Sequence, residues 1–142
     1  MSEQLMNVSF TRRTDLALAA LRALRQAEGR LGRSVLAHRI GTTSSFLSQV
    51  MAPLVQAGWV RSERGPGGGY QLTDAVFDVR LLQVVEATEG PTHNGRCVLR
   101  DGPCPGEDSC SIHAVWVEVI NVLVDGLDRV PAVQAPSRGR KR

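Results

Sequence analysis

The chain has 142 residues and a mass of 15.4 kDa, which is enough for one domain of ordinary size but not for two. Hydrophobic residues make up 42% of it, charged residues 22% and aromatic residues 4%. This composition excludes a disordered or collagen-like chain and predicts a core of Leu, Val and Ala. The longest apolar run, residues 115 to 124, is broken by Glu118 and Asn121. We therefore expect no membrane span and, without a signal-peptide core, a cytoplasmic protein with reduced thiols.

Positive charge is concentrated in the first half of the chain. Residues 1 to 70 contain nine Arg against four acids, a net charge of +5, whereas residues 71 to 136 have a net charge of −6 and the last six residues add +4. Contacts from Arg and Lys to phosphates supply most of the sequence-independent affinity for DNA. The asymmetry predicts a face that binds a polyanion, with a solvated helix face as the alternative.

Three helices are predicted before residue 58. Small and apolar residues recur at helical spacing from Asp15 to Ala27. A shorter helical pattern, residues 34 to 40, leads to Gly41, and a third helix follows from Ser44 to Ala57, with a kink expected at Pro53. Two helices joined by a short turn containing Gly are the outline of a helix-turn-helix.

The third helix is the predicted recognition helix. Ser45, Ser48 and Gln49 fall on its outer face near its N-terminus, which is where such helices contact base edges in the major groove. Hydroxyl and amide side chains exchange hydrogen bonds with bases or phosphates. The alternative is a polar face that contacts only solvent.

A hairpin is predicted over residues 59 to 72, with its turn at the glycines of Gly65 to Gly69. A hairpin directly after a helix-turn-helix is a wing. We expect Gly68 and its neighbours to let the backbone approach DNA closely, and Arg64 to point toward phosphates or a narrow minor groove. Arg61 is a further candidate for a phosphate contact.

The remaining chain is predicted to contain two helices and a loop. Asp78 is expected to cap a helix from Val79 to Thr88, and residues 90 to 109, rich in Gly and Pro, form a loop. The last helix is predicted from about Ser111 to Leu127. Its apolar stripe is wider than one small domain needs, which favours a homodimer interface over burial within the same subunit.

The predicted fold is mainly α with a small β-hairpin, a winged helix-turn-helix followed by a long C-terminal dimerisation helix. The chain divides into a DNA-binding domain, a cysteine-rich loop, a dimerisation helix and a disordered basic tail: residues 8–90, 91–110, 111–130 and 131–142.

The only three cysteines lie in the loop and at the start of the last helix. Cys97, Cys104 and Cys110 are followed by His113, three residues after the last cysteine. Short Cys-x2-4-Cys pairs typical of structural zinc are absent, and this spacing favours an iron-sulfur cluster. Zinc and a reversible thiol-disulfide switch are the alternatives. An electron carrier or redox enzyme is disfavoured by the helix-turn-helix outline and the lack of a catalytic constellation, so we predict no enzyme activity and no small-molecule substrate.

Two motifs in this order resemble the IscR/NsrR-type family of iron-sulfur transcription regulators. They are the wing sequence from Arg64 to Tyr70 and the cysteine segment from Cys104 to Trp116, and the similarity extends from Val8 to Val130. The resemblance implies a homodimer that binds double-stranded promoter DNA, as a repressor. It also implies that promoter occupancy changes as a cluster is assembled, lost, oxidised or nitrosylated.

The resemblance also implies the ligands. Cys97, Cys104 and Cys110 match the family's cysteine ligands, although the first pair here is separated by six residues where five are usual. The IscR branch takes its fourth ligand from a His matching His113 and holds a 2Fe-2S cluster, whereas the NsrR branch, which senses nitric oxide, uses an Asp matching Asp15. We favour His113 and a 2Fe-2S cluster, with Asp15 or a 4Fe-4S cluster as the alternatives.

Overall fold

A computed structural model describes residues 9–99, 102–106 and 108–134. Within them the chain forms five α-helices, one two-stranded hairpin and a short 3-10 helix, which confirms the predicted fold class. In chain order these are α1 (Arg12–Ala27), α2 (Arg33–Ile40), α3 (Ser44–Gln56), β1 (Val60–Glu63), β2 (Gly69–Leu72), the 3-10 helix (Asp74–Asp78), α4 (Leu81–Glu89) and α5 (His113–Leu127). Among the described residues, no helix is both long enough and apolar enough to cross a membrane.

Local signals set the ends of the first three helices. The hydroxyls of Thr11 and Thr43 accept hydrogen bonds from backbone N–H groups in the first turns of α1 and α3. Gly41 ends α2 with a φ of 77°, a left-handed conformation that favours glycine. α1 ends at Ala27, and Glu28 directly after it adopts the left-handed conformation with a φ of 54°. Pro53 lies inside α3, which continues to Gln56.

The helices α1 to α4, which with the hairpin form the winged domain, each bury one face in a common core. Burial of these aliphatic side chains is the main favourable contribution to folding. The largest fully buried aliphatic members are Leu16, Leu21, Leu24, Leu36, Leu47, Val50, Met51, Leu54, Val76 and Val84. Because the core holds the inner faces of α2 and α3, the outer face of α3 is left at the surface.

The hairpin is held by a third segment on its outer edge. β1 and β2 pair antiparallel from Val60 opposite Leu72 to Glu63 opposite Gly69. On the other side of β2, Leu31 and Tyr70 exchange backbone hydrogen bonds of 2.9 and 2.8 Å. The two backbones pass so close that a Cβ atom at Gly69 would lie 2.1 Å from the Leu31 carbonyl oxygen. Only glycine fits there.

Two predicted helix starts are wrong. Asp78 does not cap a helix, because it belongs to the 3-10 helix, and α4 begins at Leu81, where the Gln83 side chain accepts from the Arg80 N–H at 2.8 Å. The intervening turn places Val76 and Val79 in the core, so the chain changes direction before the helix can start. α5 begins at His113 rather than at Ser111, since residues 108 to 112 form turns.

The chain returns to the winged domain after α5. The Leu81 N–H donates to the Val130 carbonyl at 2.7 Å, and the Ala132 N–H donates to the Val79 carbonyl at 2.9 Å. Val133 is buried in the core. The predicted disordered tail is therefore wrong for residues 131 to 134. Residues 135 to 142 lie outside the described part of the chain.

Candidate metal centre and nucleic-acid interface

The first two cysteines face each other across a small hairpin within the loop. The Cys97 N–H donates to the Gly102 carbonyl at 3.1 Å, and the Cys104 N–H donates to the Gly95 carbonyl at 2.8 Å. Both glycines have positive φ, 69° at Gly95 and 128° at Gly102, conformations that residues with a Cβ rarely adopt. The loop thus has backbone order that its composition alone does not predict.

The third cysteine is brought back by a turn at the entrance to α5. The Cys110 N–H donates to the Gly106 carbonyl at 3.0 Å, and the His113 N–H donates to the Cys110 carbonyl at 3.3 Å. This turn places Cys110 just before the helix and His113 in its first turn, so both side chains can face the loop hairpin.

The three cysteines and His113, the four favoured ligands, lie close together. The sulfur atoms of the three cysteines are all within 4.8 Å of one another, with Cys97 and Cys110 at 3.8 Å. His113 Nδ1 lies 3.2 Å from the Cys104 sulfur. None of the three cysteines forms a disulfide bond among the described residues, Cys110 is buried, and Cys97, Cys104 and His113 are half-buried.

This donor set fits a metal centre. Among the described residues, these cysteines are the only group of three or more Cys, His, Asp or Glu whose donor atoms are all mutually close. Thiolate and imidazole donors are the ligands that zinc and iron-sulfur clusters take from proteins. The three cysteines can therefore hold a metal, and His113 is the nearby candidate for a fourth ligand.

Burial and the neighbouring thiols affect the ionisation of Cys110. The backbone N–H of Ile112 lowers the pKa of this thiol, but burial and the adjacent sulfurs of Cys97 and Cys104 outweigh it, so the pKa lies above its ordinary value. Several thiols this close resist ionising together, since each thiolate repels the next. A bound cation removes that penalty, and metal binding releases the thiol protons.

Asp15, the alternative fourth ligand, lies elsewhere in the chain. It is exposed in the first turn of α1 and lines a cleft with Phe10 and Leu18. A separate cleft of about 190 Å³ lies against the cysteine segment and is lined by His113 and Trp116 among others. Within one chain, therefore, His113 is brought to the thiols and Asp15 is not among them.

The predicted recognition residues lie at the start of α3. Ser45 and Gln49 are exposed, so their polar atoms are open to a ligand. Ser48 is half-buried, and its hydroxyl donates to the Ser44 carbonyl at 3.3 Å. Its oxygen can still accept a hydrogen bond, but its proton is already used within the helix.

The wing presents two exposed arginines, Arg61 on β1 and Arg64 directly after it. Arg64 lines a cleft of about 640 Å³ that also includes Arg33. Gly68 has a structural role of its own, because a Cβ atom there would lie 2.5 Å from the Glu63 carbonyl oxygen. The tight turn therefore requires this glycine whether or not DNA approaches it.

α5 carries an apolar stripe that the described part of its own chain does not cover. Leu127 is its only buried residue among those described, whereas Val115, Val119 and Val122 are 58%, 44% and 69% exposed. Together with Gly126 they follow the spacing i, i+4, i+7, i+11, which is that of a coiled-coil seam. The exposed stripe is typical of a helix that packs against another helix.

Comparison with known proteins accounts for this combination of winged domain, cysteine segment and final helix. The Rrf2 family, described as iron-dependent transcriptional regulators, matches residues 10–131. The chain belongs to the Rrf2 family. The family description is that of transcription regulators rather than of enzymes.

Relatives of this Rrf2 protein include HTH-type transcriptional regulators named IscR. The one from Pectobacterium carotovorum is 32% identical over 108 residues, and the one from Photorhabdus laumondii is 36% identical over 108 residues. Each alignment covers 76% of this chain and 65% of the relative. The chain thus spans slightly less than two thirds of the length of these relatives.

Solved structures share the fold. Oxidized CymR from Staphylococcus aureus has a TM-score of 0.68 at 20% identity, covering 88% of this chain and 93% of that one. T. potens IscR has a TM-score of 0.67 at 23% identity, covering 89% of this chain and 85% of that one. At this identity the likeness establishes the winged-helix architecture alone.

The sequence did not indicate that Arg30 contacts the wing. Arg30 donates to the Gly67 carbonyl at 2.8 Å and forms an ion pair of 2.8 Å with Glu63. Its sequence position carries no signal of this role, because it lies some thirty residues before the hairpin and is one of nine arginines in the first half.

Proposed function

We propose that this Rrf2 protein is a homodimeric, cytoplasmic transcription repressor whose binding to promoter DNA is controlled by an iron-sulfur cluster. The observation that carries the proposal is the convergence of the three cysteine sulfurs within 4.8 Å. That convergence occurs in a chain whose other features are those of a DNA-binding regulator.

Cys97, Cys104, Cys110 and His113 are the proposed ligands, and 2Fe-2S is the proposed cluster type, with 4Fe-4S as the alternative. His113 is preferred to Asp15 because its Nδ1 atom lies 3.2 Å from the Cys104 sulfur. An imidazole in place of a thiolate raises the reduction potential of such a cluster. When bound, the cluster supplies a redox-active centre that reacts with oxidants and nitric oxide.

Hydrogen bonds connect the cysteine-rich loop with the helix-turn-helix through α4 and α1. Thr92, at the start of the loop, donates from its backbone and hydroxyl to Glu86 of α4 at 3.3 and 2.7 Å. At the end of α4, the Thr88 hydroxyl lies 2.6 Å from that of Thr14, the one buried polar residue among those described. We propose that the position of the loop acts on α1 through these contacts.

α1 also contacts the turn between α2 and α3. Arg12 of α1 donates to the Gly41 carbonyl in that turn at 3.3 Å. The Thr11 N–H donates to the side chain of Glu89 in α4 at 2.8 Å. These contacts connect the loop through α4 and α1 to the turn that precedes α3, so we propose that a change in loop position alters the position of α3. In thermodynamic terms, cluster binding and DNA binding share a coupling free energy.

In the proposed complex, Ser45, Ser48 and Gln49 contact the major groove. Arg61, Arg64 and the backbone at Gly68 contact phosphates or the minor groove. Support comes from the exposure of Gln49 and of both arginines and from the positive charge of the first half of the chain. Double-stranded promoter DNA is the partner.

Dimerisation is proposed through α5, by the seam of Val115, Val119, Val122 and Gly126. A row of exposed apolar side chains along one side of a helix is unfavourable in water, and such rows commonly mark the surface where a partner binds. A second copy is the simplest occupant, because the same seam on each copy makes a self-complementary contact. Gly126, with no side chain, lets two helices approach closely.

The cluster is tested by an absorption spectrum with iron and acid-labile sulfide counts on anaerobically purified protein. The expected result is a sulfur-to-iron charge-transfer spectrum that is lost in Cys104→Ala and retained in Ser109→Ala, a matched change in the same loop. A colourless protein with zinc or no metal, even after reconstitution with iron and sulfide, would overturn the proposal.

A thiol-disulfide switch is the second candidate, and one distance favours it. The Cys97 and Cys110 sulfurs are 3.8 Å apart, close enough to bond after a small shift. Hydrogen peroxide would accept two electrons and both thiol protons, so that its O–O bond breaks and the disulfide and two water molecules form. Mass spectrometry of metal-free protein treated with peroxide tests this candidate, which predicts a Cys97–Cys110 crosslink and altered DNA affinity.

A further inference from the structure

We propose that Arg30 is a positioning residue for the wing, which acts on DNA binding through Glu63 and Gly67 without contacting DNA itself. The inference rests on the proposed DNA-binding function. Arg30 precedes Leu31, the residue that pairs with β2 on its outer edge. The side chain therefore starts from backbone that is fixed to the hairpin.

The guanidinium group of Arg30 uses two nitrogen atoms to connect the turn of the wing with the end of β1. Nη1 donates to the Gly67 carbonyl in the turn at 2.8 Å, and Nη2 lies 2.8 Å from Oε1 of Glu63 at the end of β1. A planar group with several fixed donors can make both contacts at once, whereas a lysine ammonium offers a single point of charge.

The turn needs such a connection because of its composition. Gly65, Gly67 and Gly69 all have positive φ, and glycine gains more conformational freedom than other residues when a turn opens. Arg30 restrains this turn at Gly67 and the preceding strand at Glu63. Arg64 lies between those two points, so its direction depends on both.

The ion pair also removes an unfavourable charge. Glu63 is adjacent to Arg64, and its side chain is 46% exposed, so an unpaired carboxylate there would repel the phosphates that Arg64 is proposed to bind. Because Arg30 pairs with Glu63, its charge neutralises that carboxylate and adds no net positive charge to the wing. Its contribution to DNA binding should therefore depend on Glu63.

A double-mutant cycle tests this dependence. The binding of Arg30→Ala, Glu63→Gln and the double variant to a fluorescent duplex is compared with that of the unsubstituted protein. The duplex, of about 30 base pairs, is one that this protein selects from a random-sequence library and is long enough for two half-sites one turn apart. Arg30→Ala should weaken binding about fivefold when Glu63 is present, given the strength of exposed ion pairs. In the Glu63→Gln background, where Arg30→Ala removes only the contact with Gly67, the loss should be smaller, about twofold.

Two further measurements separate positioning from a general charge effect. Hydrogen-deuterium exchange of the wing amides in DNA-free protein should be faster in Arg30→Ala, which the loss of a mere DNA contact would not cause. Arg30→Lys keeps the charge but not the double contact, so its affinity should lie between those of Arg30→Ala and the unsubstituted protein. Thermal melts establish that each variant is folded.

The outcomes are distinct. An equal loss from Arg30→Ala in both backgrounds, together with unchanged exchange of the wing amides, means that Arg30 contacts DNA directly and overturns the inference. Unchanged affinity of Arg30→Ala while Arg64→Ala weakens binding overturns it as well. If neither Arg64→Ala nor Gln49→Ala changes affinity, the proposed DNA surface itself fails. The expected cycle with faster wing exchange supports the positioning role.

Discussion

Replacing Val122 by Ala tests the proposed seam on α5. The change removes two carbon atoms, equivalent to about 1.6 kcal/mol of transfer free energy if they are fully buried. Val122 is 69% exposed in the single chain, so a partner can bury about two thirds of that amount, about 1 kcal/mol per copy. With one substitution in each subunit the dimer loses about 2 kcal/mol, which raises its dissociation constant about thirtyfold.

The substitution separates association from folding. Ala has a higher helix propensity than Val, so α5 itself is not weakened and the monomer should stay folded. Asn121→Ala is the matched control, because its side chain is exposed on the polar side of the same helix turn, and we expect less than about a twofold change. Sedimentation velocity over a dilution series gives the dissociation constants. An unchanged dimer in Val122→Ala, or an equal loss in Asn121→Ala, would refute the seam.

Three further predictions concern the wing, the fourth ligand and the fold. Arg64→Ala should weaken DNA binding about tenfold and reduce the salt slope of the binding constant by about one, as fluorescence anisotropy at several salt concentrations would show; an unchanged slope would contradict the phosphate contact. His113→Ala should alter or abolish the cluster spectrum while Asp15→Ala leaves it intact, and the reverse result would assign Asp15 as the ligand. Gly69→Ala should lower the free energy of unfolding by more than about 2 kcal/mol in a denaturant titration. Gly29→Ala, at a glycine with space for a Cβ and no positive φ, should change it little.

Features encoded by neighbouring residues were predictable from the sequence. The glycine turn at Gly41, the helix α3 and the hairpin each depend on patterns within about fifteen residues, and the structure contains all three. The cysteine spacing likewise indicated a shared site, and the sulfur atoms converge. In each case the local preference of the chain agrees with the final fold.

Features that depend on distant pairing were not predictable. The contact of Leu31 with Tyr70 joins residues almost forty positions apart, and nothing in the sequence around Leu31 indicates an edge strand. The segment after α5 has a composition typical of a tail, yet Val133 is buried. Its neighbours Val130 and Ala132 form backbone hydrogen bonds with Leu81 and Val79, far away in the sequence. Asp78 is a good helix cap by type, but burial of Val76 outweighs that preference.

The central claim is that the metal centre controls DNA affinity. The most direct test measures the dissociation constant of one anaerobic preparation for the selected duplex, before and after chelation removes the cluster, with Cys104→Ala as a permanently cluster-free form. We predict that the two states differ at least about tenfold, a coupling free energy of about 1.4 kcal/mol or more, and that Cys104→Ala matches the cluster-free state. Equal affinities in the presence and absence of the cluster would contradict the claim.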